Sequence, residues 1–293
     1  MSDMDNTTNY YKEAFSRNIG ILSETQQEKL HASTVAIAGL GGAGGVYATT
    51  FARLGFGKFH ISDLDVFETV NMNRQQAASV DVLGQPKVEV VKKLVLSINP
   101  GAEVTTFPEG INPENIDEFL QGVDIVLDGI DFFNITARRL LFRKAREHGL
   151  YVLTAGPVGY GSSMLVFDPQ GMSFDSYFDM RDGLSEDEQL IRFGLGLTPT
   201  LMQRTYFNPD AVKWNTRKAP SLVTGTLLCA NLVSTEALKI LFGEKVHPAP
   251  ASIHFDPRLR KMKKSFVPFG NKNPIQQVKR VVMTAILKSR GSL

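Results

Sequence analysis

The sequence predicts an α/β fold: a Rossmann-like, mostly parallel sheet with helices on both faces, a long crossover segment and a C-terminal helical tail. Three observations carry that prediction. Short β-branched apolar runs alternate with segments of helical period through the first half of the chain. The first run ends in a glycine-rich turn, GLGGAG at 39–44, and a long apolar helical segment at 222–242 follows the alternation. Strands separated by helices need right-handed crossovers, and these bury both faces of the sheet.

In chain order, STVAIA at 33–38 reads as a buried strand running into the glycine turn, and 43–54 as the helix that follows. KFHISD at 58–63 is a second strand. The alternation continues with a helix at 86–98, strand 103–107, helix 113–120, strand 124–128, helix 136–148, strand 151–154 and strand 162–167. Residues 168–220 read as one long irregular stretch carrying the acidic cluster Asp175, Asp179, Asp182, Glu186, Asp187 and Glu188, and a loop of that length is usually functional. A helix at 222–242 stops at Gly243, and ASIHF at 251–255 is a last strand. In the tail, Ile275, Val278, Val282, Ala285 and Ile286 share one helical face. Docking of that face on the chain's own domain is expected, with a membrane surface, nucleic acid or a partner as alternatives. The expected organisation is an N-terminal arm at 1–30, a body at 31–256 and a basic tail at 257–293.

Composition excludes several classes. Of 293 residues, 43% are hydrophobic and 21% charged, which is too apolar and too balanced for a disordered chain. One cysteine excludes an intrachain disulfide and a zinc site of paired Cys-x-x-Cys motifs. It fits a reducing compartment, so a cytoplasmic location is expected. The polar, acidic start does not resemble a secretory signal, and no run of 18 apolar residues suggests a membrane span. The whole chain carries +2 and residues 257–293 carry +10 with no acidic group, so residues 1–256 carry −8. An acidic body with a basic tail results.

The chemistry is concentrated in the first half. Gly39, Gly41 and Gly44 stand in G-x-G-x-x-G register between a strand and a helix. Such a turn lets phosphate approach the backbone at a helix N-terminus, where the dipole favours negative charge. Asp63, at the end of the second strand, is placed to accept hydrogen bonds from ribose hydroxyls. The following segment supplies Asp65, Asn71, Asn73, Arg74 and Gln75, and Lys87 opens the next helix. A dinucleotide has no need of Arg74 and Lys87, whereas a triphosphate needs cations to offset its charge. Asp131 stands at the C-terminal edge of the sheet, where a carboxylate could hold Mg²⁺ against phosphate oxygens. An NAD-dependent oxidoreductase and a non-catalytic nucleotide-binding adaptor are the alternative classes.

With FSRNIGILSETQQEKL, VAIAGLGGAGG, ISDLDVFETVNMNRQ, LGQPKVEVVKKLVLSINP, DIVLDGID and PSLVTGTLLCANLVSTEALKILFG, the chain resembles the ThiF/MoeB/HesA adenylyltransferases, homologous to the adenylation domains of ubiquitin-activating enzymes. The resemblance implies that Gly39, Gly41, Gly42 and Gly44 cradle ATP, with Asp63 on the ribose and Asp65 and Asn73 completing the nucleotide site. It implies that Asn71, Arg74 and Lys87 surround the phosphates, that Asp131 holds magnesium, and that Arg17 reaches the neighbouring subunit's triphosphate in a homodimer. The catalytic set is then Arg17, Arg74, Lys87 and Asp131. The implied reaction is ATP-dependent adenylation of a carboxylate, the C-terminus of a ubiquitin-like sulfur carrier or of a peptide. A tRNA threonylcarbamoyladenosine dehydratase-like activity is the alternative within the family, and the basic tail suits it.

The chain departs from the family pattern in three ways. It lacks the zinc cysteines, so no zinc is expected. Phe132 stands where most members have Asn, and residues 168–220 contain no cysteine. Cys229, inside an apolar helix, reads as structural, so adenylation without a thioester step is expected. His247 and His254 lack a third metal ligand of obvious spacing, and Trp214 lines either a substrate groove or the core under a loop.

Overall fold

The computed structural model describes residues 3–208, 211–214 and 216–289. Eight strands form a single sheet in the order β3-β2-β1-β4-β5-β6-β7-β8. They are β1 (Thr34–Ala38), β2 (Lys58–Ser62), β3 (Glu103–Phe107), β4 (Ile125–Asp128), β5 (Val152–Val158), β6 (Gly161–Phe167), β7 (Ala251–Asp256) and β8 (Lys261–Phe266). The first five are parallel and the last three antiparallel. The order reverses between β1 and β4, and in such sheets the crevice outside the strand C-termini at that point is where ligands bind.

Helices α1 (Asp3–Ala14) and α2 (Glu24–Ala32) precede the sheet. On one face lie α3 (Gly42–Leu54), α4 (Lys87–Ile98) and α9 (Val223–Leu241); on the other lie α5 (Ile116–Leu120), α6 (Ile135–Glu147), α7 (Phe174–Phe178) and α8 (Glu186–Leu197). Strand β1 shows how both faces are filled. Its five residues are all buried, with Val35 and Ile37 in the α3/α4/α9 core and Ala36 and Ala38 in the α5–α8 core. A side-chain period of two and two covered faces produce a continuous apolar run, which is how this strand reads in the sequence.

Two sequence expectations are corrected. Residues 168–220 are not one irregular stretch: α7, α8 and a 3-10 turn at Met202–Thr205 lie within them. Helix α8 starts at a capping box, in which the Ser185 hydroxyl accepts from Glu188 N at 3.3 Å and the Glu188 carboxylate accepts from Ser185 N at 3.3 Å. The acidic cluster is engaged internally. Asp175 and Asp182 pair with Arg139, Asp179 with Arg192 and Arg181, and Glu186 and Asp187 with Arg217. Ser185→Ala is expected to cost about 1 kcal/mol, read as a lower urea midpoint at unchanged slope.

The tail is the second correction. Residue 256 ends β7, and β8 pairs with β7 along its whole length, so the boundary drawn there falls inside a hairpin. The KMKKSF sequence hides that strand because lysines stand on an exposed edge, where they discourage pairing with other chains. Helix α10 (Pro274–Ser289) does dock on its own domain, but by the opposite face. Ile275 and Val278 are 66% and 63% exposed, whereas Gln276 and Leu287 are buried. Gln276 Nε2 donates to Leu195 O (3.3 Å), Lys279 Nζ donates to Pro199 O (2.7 Å), and Leu287 packs with Ile191 and Leu195 of α8. Hydrogen bonds to carbonyls in the last turn of α8 and just beyond it thus decide the docking side, and a hydrophobicity pattern does not contain them.

Candidate functional site

Sterics fix the glycine turn between β1 and α3. Gly39 has φ +84°, and a Cβ there would stand 2.4 Å from Gly129 O. A Cβ on Gly44 would stand 1.7 Å from Gly39 O, so any larger residue breaks the packing of the turn on its helix. Gly41 is different. Its nearest neighbour to an added Cβ is Gln75 Nε2 at 3.7 Å, leaving room beside the α3 N-terminus, and the buried Gln75 Oε1 has no hydrogen-bond partner. An open glycine backbone and a helix N-terminus suit a negatively charged guest, while the orphaned amide oxygen calls for a donor.

Asp63 follows β2 and closes this turn. Its Oδ2 accepts from Leu40 N at 2.6 Å and its Oδ1 from Asp65 N at 2.9 Å, with Lys87 Nζ at 3.9 Å. Burial raises the Asp63 carboxyl above its ordinary value of 3.8, against the opposing pull of Lys87 and the two backbone N–H groups. Lys87 at the start of α4 is only 4% exposed and bonds Asp65 Oδ2 at 2.9 Å. Lys87 is thus a buried ammonium held between two carboxylates, exposed Asp65 and partly buried Asp63, and is fixed in position before any ligand arrives.

The 71–75 turn forms the next wall. Asn71 is buried and accepts from Glu68 N at 2.9 Å, which fixes the turn and leaves Nδ2 as its remaining donor. Arg74 Nη1 donates to Val70 O (2.8 Å) and Asn73 Oδ1 (3.0 Å), while Asn73 Nδ2 reaches across to Ser221 O (3.0 Å). Thr226 in the first turn of α9 completes the junction: its methyl would lie 2.9 Å from a Cβ on Gly42, and its hydroxyl bonds Arg74 O at 3.4 Å. Gly39, Gly41, Gly42, Gly44, Asp63, Asp65, Asn71, Asn73, Arg74 and Lys87 thus lie along one wall around the β1 C-terminus, connected through Leu40, Gln75 and Thr226.

Asp131, three residues past β4, is exposed. Its Oδ1 accepts from Phe133 N at 2.9 Å, so Oδ2 is the oxygen open to a cation. Among the described residues no group of three or more His, Cys, Asp or Glu side chains is arranged to hold a metal by itself. Phe132 turns away into the α8 side and packs on Phe133 and Phe193. Arg17 lies in the short turn after α1, is exposed, and makes no ion pair or hydrogen bond with this wall among the described residues.

Sequence reading missed the group that holds the Asp131 loop. Asp128, 2% exposed at the end of β4, accepts from Arg138 Nε at 2.7 Å, Thr154 Oγ1 at 2.7 Å and Ile130 N at 3.1 Å. Arg138 also donates to Asp131 O at 3.2 Å and to Ile130 O. The signal available was an Asp closing an otherwise apolar strand with an Arg ten residues on. Nothing in the sequence places Thr154 beside them.

Cys229 is fully buried, its Sγ lies 3.1 Å from Ser162 Oγ, and burial pushes the thiol up to about 12. A thiol in that setting is not a nucleophile. Trp214 packs against both the α5–α8 core and the small cluster under α10, so it is a packing residue here. His254 is buried against Thr200 Oγ1 at 2.8 Å, and desolvation lowers its pKa.

Comparison with known proteins gives the family and the fold of the chain. A model of the ThiF family matches residues 15–276. The vegetative HesA protein of Trichormus variabilis is 29% identical over 244 residues, 82% of this chain and 80% of that protein. The tRNA threonylcarbamoyladenosine dehydratase of Bacillus subtilis is 37% identical over 118 residues, 40% of this chain, and the match spans about half (46%) of that protein's length. Among solved structures, E. coli MccB with AMPCPP and MccA superposes with a TM-score of 0.65 at 20% identity, covering 88% of this chain and 71% of the other. PaaA gives 0.62 at 19% identity, covering 91% and 74%. These two structural likenesses establish the fold.

Proposed function

Because the chain belongs to the ThiF family, we propose that it is an ATP-dependent adenylyltransferase that activates a substrate carboxylate. The observation that carries this reading is the buried Lys87 beside Asp63 and Asp65, joined through the glycine turn to Arg74. In this reading ATP lies along the turn, with Asp63 accepting from the ribose hydroxyls. Arg74, Lys87 and the remaining Asn71 donor face the triphosphate. A carboxylate oxygen attacks the α-phosphorus, the bond to the bridging oxygen breaks, and pyrophosphate leaves with the electron pair. The carboxylate is already nucleophilic at neutral pH, so this chain's residues supply alignment and charge stabilisation. Asp131 Oδ2 is the group that would hold magnesium, which supplies further charge neutralisation on the phosphates when bound. Arg17, which makes no hydrogen bond or ion pair with its own site among the described residues, would act on the partner's triphosphate in a homodimer. Sedimentation showing only monomers in the presence of ATP would remove that role.

The substrate proposed is the C-terminus of a small ubiquitin-like protein or a peptide, supported by the likeness to MccB, which was solved with MccA. The second reading, a carboxylate on a modified tRNA base, is favoured by the match to the B. subtilis dehydratase and by the acid-free tail. Calorimetric titration with ATP and NAD separates nucleotide classes, and preference for NAD would sink the proposal. Carboxylate-dependent exchange of labelled pyrophosphate into ATP then tests the reaction. With Cys229 sealed in the core, Cys229→Ala is expected to leave exchange unchanged and to cost roughly 1–2 kcal/mol of stability; loss of exchange in a folded variant would restore a chemical role for the thiol.

A further inference from the structure

The tail is fixed to the body at a second place, where no residue of the glycine-turn site takes part. Gly270 lies so close to α7 that an added Cβ would stand 2.2 Å from Tyr177 O, and Asn271 Nδ2 donates to Phe178 O (3.1 Å) and Arg192 O (2.7 Å). Beside this junction is a surface cavity of about 360 Å³ lined by Asp179, Arg181, Lys272 and Gln277. Asp179, only 1% exposed, holds the left-handed conformation at φ 54°. Its carboxylate receives Arg192, itself buried, and Arg181 Nη2 at 3.2 Å. A third guanidinium, Arg280, donates to the neutral Gln277 Oε1 at 2.6 Å instead of to a carboxylate. Lys272 has no carboxylate within ion-pair distance among the described residues.

Of these four cations only Arg181 and Arg192 contact a carboxylate, and it is the same one, Asp179. Burial first, and then the charge of Arg192, lower the Arg280 pKa, with Arg181 adding to the effect against the opposing pull of Asp179 and Glu188. Asp179 Oδ1 in the cavity wall and Nε of its partner Arg192 are both buried without hydrogen-bond partners. Donors converging from the α7–α8 segment and from the tail suit a ligand with several acceptor oxygens and more than one negative charge.

We propose that this cavity binds the phosphate group of a small phosphorylated ligand, clamping the acid-free tail onto the α7–α8 segment. The phosphate accepts from Arg181 and Lys272, which line the cavity, and its charge offsets the repulsion between Arg181 and Arg280. A nucleic-acid backbone is disfavoured because residues 1–256 carry −8, which repels a chain of successive phosphates extending beyond the cavity. The proposal stands apart from the adenylation reading.

Inorganic phosphate is the probe. Thermal melts of the full chain in phosphate, against chloride at equal ionic strength and pH, are expected to show a midpoint about 2–4 °C higher at ten times the Kd. Arg181→Gln combined with Lys272→Gln, two exposed side chains, is expected to abolish the shift with unchanged circular dichroism. Lys87→Met is expected to retain it. The proposal is overturned by an equal shift in chloride, by a shift that survives the double substitution, or by one lost in Lys87→Met, which would place the phosphate in the glycine turn. Binding of a 20-nucleotide RNA without any phosphate shift would also overturn it and reassign the surface to nucleic acid.

Discussion

Lys87→Met is expected to weaken ATP binding by about 10–150-fold, the equivalent of one lost charge-assisted hydrogen bond of roughly 1.5–3 kcal/mol, with a folded protein by circular dichroism. Lys87 is already desolvated and held by Asp65 at 2.9 Å, so little reorganisation accompanies its contact with a phosphate. A solvated surface lysine would offer far less. The substitution carries a second signature. Lys87 is the strongest influence opposing the burial that raises the Asp63 carboxyl above 3.8. Its removal therefore moves that carboxyl further up, and residual ATP binding should fail at a higher pH on acidification than in the parent protein, because only the ionised Asp63 accepts twice. Titrations between neutral and mildly acidic pH read both effects. Unchanged affinity in folded Lys87→Met would refute the assigned phosphate site and with it the adenylation reading.

Arg138→Met should be the most damaging single change to stability outside the apolar cores. It is expected to cost about 3–5 kcal/mol, since it strands a buried carboxylate, and a chain of this size should then melt roughly 6–20 °C lower. The carboxylate left behind is Asp128, which keeps only Thr154 Oγ1 and Ile130 N as donors. The effect is not confined to stability. Arg138 is also bonded to the carbonyls of Ile130 and Asp131, so the loop presenting the Asp131 carboxylate loses its anchor. Replacing both partners, Arg138→Met with Asp128→Asn, should recover part of the melting loss, because no unpaired charge remains. If the single variant melts within 2 °C of the parent, the pair is energetically neutral and the anchoring argument fails.

The elements from β1 to β6 were legible because each depends on a local pattern. A strand buried on both faces must be apolar throughout, and a turn that brings Gly44 within contact of Gly39 O tolerates nothing larger than glycine. The glycine motif, Asp63, Asn71, Arg74 and Lys87 were readable for the same reason: they follow the strands whose C-termini build the crevice. The 168–220 segment was not, although Ser185 and Glu188 form a capping box visible at their three-residue spacing. Its dense acidic residues suggested a solvated loop, while in the fold they pair with Arg139, Arg192 and Arg217, the first of which lies far away along the chain.

By itself, then, the sequence determined the parallel half of the sheet, the glycine turn and the identity of the charged residues around it. Periodicity, turn sterics and short spacing are local constraints that hold in any compact arrangement of this chain. Only the tertiary structure decided which face of α10 meets α8, that β8 extends the sheet past residue 256, and that Asp128, Arg138 and Thr154 form one buried group. Those outcomes depend on which distant donor meets which carbonyl or carboxylate once solvent is excluded. A buried polar group must find its partner wherever the fold supplies one.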